Sequence, residues 1–320
     1  MNDIVYWIVF SVIVVVMLVL DLGVLNRKAH AIGVKEALWT SLAWIGVALA
    51  FNASVFVLRG YESGLEFFTG WLIEKALSVD NLFVFLVIFT YFRVEAKVQH
   101  TVLFWGIIGA IVLRGALIAL GAALIHEFSW ILYLFGAFLI YTAYKLATNT
   151  GEAVEPEKNA VLKFVRRFLP LSPTYAGRRF FVRVDGKTLL TPLMVVLLVV
   201  ETTDLTFALD SIPAIFAITT DSFIVFTSNI FAVLGLRALY FLIAGFLGMF
   251  RYLKLGLSLV LGFIGIKMLV VAVGIKIPIA FSLTVVVGIL TISVLASVIA
   301  ARREGKLDLA AEEILSEKVD

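Results

Sequence analysis

Two apolar stretches of the chain contain acidic residues at positions where a membrane-spanning helix ordinarily has none. The stronger stretch covers residues 198–213 and the weaker one residues 73–83. The acids and one adjacent amide are, in chain order, Glu74, Asp80, Asn81, Glu201, Asp204 and Asp210. A charged side chain at the centre of a bilayer costs at least about 2.5–3.5 kcal/mol on insertion scales. Carboxylates kept at that cost predict a function for them, and the chemistry they suit is binding of a transported cation.

The side chains available as ligands narrow the kind of cation. The chain contains no cysteine, and His30, His100 and His126 all fall in the predicted connections between spans, where ordinary loop residues are expected. Carboxylate, amide, hydroxyl and carbonyl oxygens suit hard cations such as Mg²⁺, Ca²⁺ and Mn²⁺, rather than Cu⁺ or Zn²⁺. The residues therefore indicate a hard divalent cation and leave its identity open.

A structural ion pair is the alternative role for the same acids. Arg114 and Arg237 fall near the middle of predicted spans, and charges buried in a membrane need partners. We favour cation coordination for Asp80, Asp204 and Asp210. The two roles are compatible, because an arginine can neutralise the site while it is empty.

The position of four charged residues within their predicted spans indicates a role for each. Glu201 is close to the middle of its span and is expected to be a ligand or a proton carrier. Glu74 is nearer the outer surface, where metal binding and neutralisation by its neighbour Lys75 are equally open. Lys267 is deep in its span and is expected to balance charge or couple transport, whereas Lys145 is close enough to a span end to snorkel.

The composition indicates that membrane helices must position these residues. The chain of 320 residues is 62% hydrophobic and 15% charged, with a mean hydropathy of +1.07, whereas soluble domains are about 45–50% apolar and 25% charged. Apolar runs of about 20 residues, the length that crosses a bilayer, predict an all-α polytopic membrane protein with nine spans. The predicted spans are residues 4–22, 38–58, 66–90, 102–124, 130–147, 190–216, 222–247, 254–273 and 278–301.

The basic residues of the connections set the expected orientation. Nineteen lysines and arginines follow the odd-numbered spans, and only Arg59 and Lys276 fall on the opposite side. The positive-inside rule then places the N-terminus outside and the C-terminus in the cytoplasm. In the connection 148–189, apolar and basic residues interleave over 161–169 as in a short amphipathic helix on the inner leaflet. Asp185-Gly186 is a strong hairpin signal; a structured linker is expected there, with gating as the alternative.

The acidic stretches indicate an internal repeat. When the two stretches are aligned with Asp80 opposite Asp210, Glu74 lies opposite Asp204. An arginine and a lysine follow in the same order in later spans. An odd number of spans separates equivalent positions, so the second copy is inverted, which is a recurring transporter plan. The predicted divisions are two leading spans (1–65), first repeat (66–147), cytoplasmic connection (148–189), inverted second repeat (190–273), last span (274–303) and cytoplasmic tail (304–320).

A break is expected in the second acidic helix. Each residue turns a helix by about 100°, so residues six apart lie about 120° from each other. Asp204 and Asp210 therefore cannot face one point unless the helix is interrupted. Pro213 lacks an N–H group and disfavours helix just before it. We predict irregular backbone at residues 210–212, with carbonyl groups freed for a cation.

No phosphate-binding Gly-Lys-Ser/Thr loop, serine elbow or dinucleotide fingerprint occurs in the sequence. We therefore expect a protein that is not an enzyme and has no resident cofactor. Transport would use the proton gradient or the membrane potential rather than ATP. The expected partners are the lipid bilayer, a divalent cation as substrate and, as a further candidate, a second copy of the chain; no nucleic acid is expected.

Three segments of the sequence resemble the TerC family, and its Alx-type branch most closely. They are residues 74–81, residues 204–217 with the string Phe-Ala-x-Asp-Ser-Ile-Pro-Ala at 207–214, and residues 227–232. The resemblance extends from the first span to about residue 300. It implies a bacterial inner-membrane protein of the larger LysE-type transporter group, associated with manganese export and linked by name to tellurite resistance.

Carried over by motif, the resemblance assigns metal handling to the acidic set. Its members are Glu74, Asp80, Glu201, Asp204 and Asp210, with Asn81 beside them. We expect an Mn²⁺ exporter; the alternatives are a carrier of Ca²⁺ or another hard cation, and a membrane protein without transport activity that acts in metal loading or stress response.

Overall fold

The computed structural model describes residues 3–23, 33–128, 130–148, 160–184, 186–244 and 252–304. The predicted all-α class is confirmed, with one two-stranded sheet in the described part of the chain. The elements are α1 (Asp3–Gly23), α2 (Val34–Arg59), α3 (Tyr61–Tyr91), α4 (Ala96–Glu127), α5 (Ile131–Thr148), α6 (Ala160–Phe168), β1 (Phe181–Val184), β2 (Lys187–Leu190), α7 (Pro192–Phe216), α8 (Ser222–Leu234), α9 (Leu236–Ala244), α10 (Leu253–Ala272) and α11 (Ile279–Arg303). The predicted tail lies outside the described residues from 305 onward.

Helices occur at all nine places where spans were predicted, but nine crossings are not established. Within the described ranges, six helices are long and apolar enough to cross a membrane, or seven if α8 and α9 form one span. These six are α2, α4, α5, α7, α10 and α11. The apolar stretch of α1, Ile4–Leu20, is shorter than these, and the 31-residue α3 contains five charged residues along its length. The count of nine spans therefore stays a prediction.

The chain divides into two compact units, and three of the boundaries between them fall inside α3, α4 and α7. The first unit comprises Met1–Ile32, Asn81–Gly115 and Glu152–Ala208, and the second comprises Gly33–Asp80, Ala116–Gly151 and Leu209–Asp320. Each acidic helix therefore contributes residues to both units. The predicted repeat boundaries stay predictions.

In the first unit, the amphipathic helix and the hairpin predicted for the cytoplasmic connection are both present. Leu162 and Val165 bury one face of α6, while Phe164 lies exposed. β1 and β2 pair antiparallel, with Val184 opposite Lys187. Gly186 has φ +77°, a left-handed conformation that glycine adopts without strain. The turn residue Asp185 lies outside the described residues.

The segment before the hairpin is anchored on α3 and α4. The Tyr175 hydroxyl donates to the Phe92 carbonyl at 2.7 Å, and Arg178 Nη2 lies 2.7 Å from His100 Nε2. The expectation that His100 is a loop residue is therefore wrong, because α4 begins at Ala96 and buries this side chain. His126 likewise lies in the last turn of α4 rather than in a loop, and His30 falls outside the described residues.

In the second unit, α5 and α10 pack closely along their length. A Cβ on Gly265 would fall 2.9 Å from the Gly136 carbonyl oxygen, so the two helices approach at a pair of glycines. Gly136 also approaches Leu269, while Ala143 approaches Gly262. The two helices are therefore antiparallel, and the inverted repeat stays a prediction.

The predicted break near Pro213 is wrong, and the chain bends elsewhere. α7 continues through Pro213 to Phe216, and the Ala217 N–H donates to the Pro213 carbonyl at 3.0 Å. Proline removes one helical hydrogen bond, that of its own missing N–H group, and α7 continues despite this loss. The predicted span 222–247 is instead divided at Gly235, where the axes of α8 and α9 differ by 41°.

Candidate functional site: buried carboxylates on the membrane helices

In the first unit, Arg114 of α4 and Asp204 of α7 form a buried bidentate ion pair, here called the arginine pair. Arg114 Nε lies 3.0 Å from Asp204 Oδ2, and Nη2 lies 2.8 Å from Oδ1. The side chains are 0% and 5% exposed. The planar guanidinium matches both carboxylate oxygens at once, which fixes the orientation of Asp204 as well as balancing its charge.

Glu201 lies about one helical turn before Asp204, and its carboxylate rests against Gly109 of α4. It occupies the space that a Cβ at residue 109 would fill. Glu201 Oε2 is buried and has no hydrogen-bond partner among the described residues. A buried oxygen of this kind is costly to leave unpaired, so it marks a position where a proton or a cation would be stabilised.

In the second unit, Glu74 of α3 binds Asn229 of α8, and we call these residues the amide pair. Asn229 Nδ2 donates to Glu74 Oε2 at 3.0 Å, and both side chains are fully buried. The neighbouring Lys75, whose neutralisation of Glu74 was one of the two roles left open, forms no ion pair with it. Its ammonium donates instead to the Ala232 carbonyl at 3.2 Å, near the end of α8, where a cation also complements the helix dipole.

The two remaining aspartates of the set also lie in the second unit. Thr142 Oγ1 donates to Asp210 Oδ1 at 3.1 Å, and Lys145 attracts the same carboxylate electrostatically. Asp80 is half-buried and attracted by Lys254 of α10. One threonine hydroxyl and two nearby lysines therefore accompany these two aspartates, whereas the sequence interpretation offered Arg114 or Arg237 as their ion-pair partners. Asn81, in the first unit, is 3% exposed.

The predicted charge-balancing residues occupy different surroundings. Arg237 is buried in the first turn of α9, immediately after the bend at Gly235. Lys267 of α10 is buried and attracted by Glu66 of α3, which is hydrogen-bonded to Thr219. Sequence reasoning missed Glu66; the signal it left was a further acid at the start of the same span.

Three other residues were overlooked as members of the site. Asn229 was quoted only as part of a family string, and Thr142 and Gly109 were not singled out. Each is polar or small within an apolar run, which is a weak signal, because only the packing of two helices shows which carboxylate it meets.

The carboxylates are thus held one or two at a time by arginine, amide, hydroxyl and glycine neighbours. Across the described ranges, no group of three or more histidine, aspartate or glutamate side chains is arranged to hold a metal ion. The structure shows buried or half-buried acids on α3 and α7, and the metal-ligand roles of Asp80, Asn81, Glu201, Asp204, Asp210 and Glu74 stay predictions.

Known proteins similar to this chain are also membrane proteins. The sequence profile of the integral membrane protein TerC family matches residues 59–305. An uncharacterized membrane protein of Myxococcus xanthus is 49% identical over 308 residues, covering 96% of each chain. An Escherichia coli K12 protein named "Putative membrane-bound redox modulator Alx" is 48% identical over 296 residues, covering 90% of this chain and 92% of its own. A Rickettsia bellii membrane protein is 43% identical over 293 residues, covering 92% and 97%.

No solved structure matches the chain. The profile match covers more than half of the sequence, and these relatives are similar over nearly their whole length. The chain therefore belongs to the TerC family of integral membrane proteins.

Proposed function

We propose that this TerC-family membrane protein exports Mn²⁺ from the cytoplasm through its buried carboxylates. The observation that carries the proposal is the arginine pair, buried between α4 and α7, with the unpartnered Glu201 oxygen one turn away. A charge network at this depth is expensive in an apolar helix. Ion pathways are the usual setting in which membrane proteins keep such residues.

The arginine pair gives a physical account of how the empty site is kept neutral. Arg114 supplies the positive charge that Asp204 needs while no substrate is present. An incoming divalent cation would compete with the guanidinium for the two carboxylate oxygens, and Glu201 would add a second anionic ligand. Hard oxygen ligands of this type suit Mn²⁺. Asp80, Asp210, Glu74 and Asn81 are retained in the proposal as further cation-handling residues.

The proposed setting is the bacterial inner membrane, with the N-terminus outside and the C-terminus in the cytoplasm. Support for it comes from the nineteen basic residues on one predicted side against two on the other. The proton gradient or the membrane potential would drive export, and the carboxylates would exchange protons for the metal. Arg237 and Lys267, both buried, are proposed to balance charge during that exchange.

Two observations favour alternative functions. The same oxygen ligands bind Ca²⁺, so a calcium carrier is the first. Relatives named as putative redox modulators favour a role in redox modulation; a membrane protein without transport activity in metal loading or stress (tellurite) response is the alternative that the family resemblance implies. Because this chain contains no cysteine, any thiol–disulfide step in such a role would take place on another protein.

The first test measures total cellular manganese by elemental analysis in an exporter-deficient bacterium. Cells expressing the wild type should contain less manganese than cells with an empty vector, whereas Asp210→Asn and Asp80→Asn variants at equal membrane abundance should not. Glu95→Gln is the matched control, because Glu95 is 65% exposed and pairs with Lys97 at the end of a loop. Unchanged manganese with the wild type, or normal export by both aspartate variants, would contradict the proposal.

A further inference from the structure

Where α4 contacts α7, a glycine of α4 leaves a space that one particular side chain of α7 fills. At Gly109, the space for a Cβ is filled by the carboxylate group of Glu201, including both of its oxygens. At Gly106, one turn earlier on α4, the same construction meets Val200 Cγ1 at 3.5 Å, an ordinary van der Waals contact. Only one of these two neighbouring glycines therefore makes room for a charged group.

Van der Waals contact with α4, more than hydrogen bonding, holds the Glu201 carboxylate at Gly109. Glu201 Oε2 is buried without a hydrogen-bond partner among the described residues. Asp204, whose carboxylate acts electrostatically on Glu201, is already bound by Arg114. What keeps the Glu201 carboxylate next to the arginine pair is therefore the close approach of the α4 backbone at Gly109.

We propose that Gly109 is a positioning residue, which fixes the Glu201 carboxylate beside the arginine pair. A methyl group at residue 109 would displace the flexible end of Glu201 and leave the α4 backbone undisturbed, because alanine favours helix more than glycine does. The consequence for transport rests on the proposed function; the displacement itself does not.

The test compares four variants of the full chain, purified and reconstituted into phospholipid vesicles: Gly109→Ala, Gly106→Ala, Glu201→Ala and the double variant Gly109→Ala/Glu201→Ala. Gly109→Ala should keep wild-type abundance and thermal unfolding midpoint but lower the initial rate of radioactive Mn²⁺ uptake by about tenfold or more, since site groups tolerate misplacement poorly. Gly106→Ala, the matched control, should stay within about twofold of the wild type. The double variant should match Glu201→Ala within about twofold, because no carboxylate remains to be displaced.

A second readout is independent of transport. Dicyclohexylcarbodiimide, an apolar reagent that modifies carboxyl groups, should label Glu201 several-fold faster in Gly109→Ala than in the wild type or Gly106→Ala, as measured by mass spectrometry of the peptide. If wild-type vesicles carry no manganese, the proposed function fails, and the labelling comparison alone decides this inference.

Three results would overturn the assignment of Gly109. The first is equal labelling of Glu201 in the wild type and Gly109→Ala. The second is Mn²⁺ transport by the wild type that Gly109→Ala matches in rate. The third is an effect of Gly109→Ala that persists in full in the Glu201→Ala background, because alanine would then act through some other group.

Discussion

The arginine pair and the amide pair solve the same problem in two ways. Each holds a carboxylate of an acidic helix deep inside its unit, Asp204 in the first and Glu74 in the second. Asp204 receives two hydrogen bonds and a full positive charge from Arg114. Glu74 receives from Asn229 one hydrogen bond at 3.0 Å and no formal charge.

The two partners differ in whether they only orient the carboxylate or also balance its charge. An amide orients a carboxylate but leaves its charge to be met by other groups, whereas a guanidinium does both. The carboxylate of Asp204 is already matched to a cation that a substrate ion could replace, which makes the arginine pair a candidate for cation exchange. The amide pair joins α3 to α8 through an uncharged donor.

The largest effect is expected from removing the cation of the arginine pair. Arg114→Met leaves Asp204 buried without its partner, which costs about 3–5 kcal/mol when one member of a buried pair is lost. The free energy of unfolding, measured by chemical denaturation in detergent, should fall by that amount. Arg114→Met/Asp204→Leu should recover most of the loss, because no uncompensated charge remains; failure of this rescue would show that Arg114 is needed for packing rather than for Asp204.

A smaller effect is expected from the amide pair. Asn229→Leu keeps the approximate volume but leaves Glu74 without this hydrogen bond, a loss of about 1–3 kcal/mol for a buried group. The same denaturation experiment measures it. A loss as large as that of Arg114→Met would remove the distinction between the two pairs.

The smallest stability effect is expected at Asp210, whose hydrogen bond from Thr142 is 3.1 Å long and only partly buried. Thr142→Val should lower the free energy of unfolding by about 0.5–1.5 kcal/mol, the net contribution of one hydrogen bond. Because Asp210 is a proposed cation-handling residue, the rate of manganese transport should fall more than stability does. Transport at the wild-type rate would argue that Asp210 needs no orientation by Thr142.

The helices, the hairpin and the family could be predicted from the sequence, because apolar run length, amphipathic spacing and a two-residue turn are local signals. The helix break could not. Pro213 predicts a break through its missing hydrogen bond, but the loss of one bond does not interrupt α7. Gly235, a glycine within a long apolar run, gave no stronger local signal than many other glycines in the chain.

The acids themselves were identifiable because charge in an apolar run is conspicuous, but their partners were not. Asn229, Thr142 and Gly109 acquire their roles from helices that meet far apart in the sequence. Periodicity indicates which face of a helix is apolar and does not indicate which helix packs against it. Of the partner assignments considered for the acids, the pairing of Arg114 with Asp204 is the one that the structure contains.

The most direct test of cation movement through Asp204 is uptake of radioactive Mn²⁺ into vesicles that contain only the purified chain. The wild type and the exposed control Glu95→Gln should accumulate Mn²⁺ at the same rate. Asp204→Asn, which keeps the size of the side chain and loses its charge, should accumulate none above protein-free vesicles. Equal accumulation by Asp204→Asn and the wild type, or none by the wild type, would contradict transport through the arginine pair.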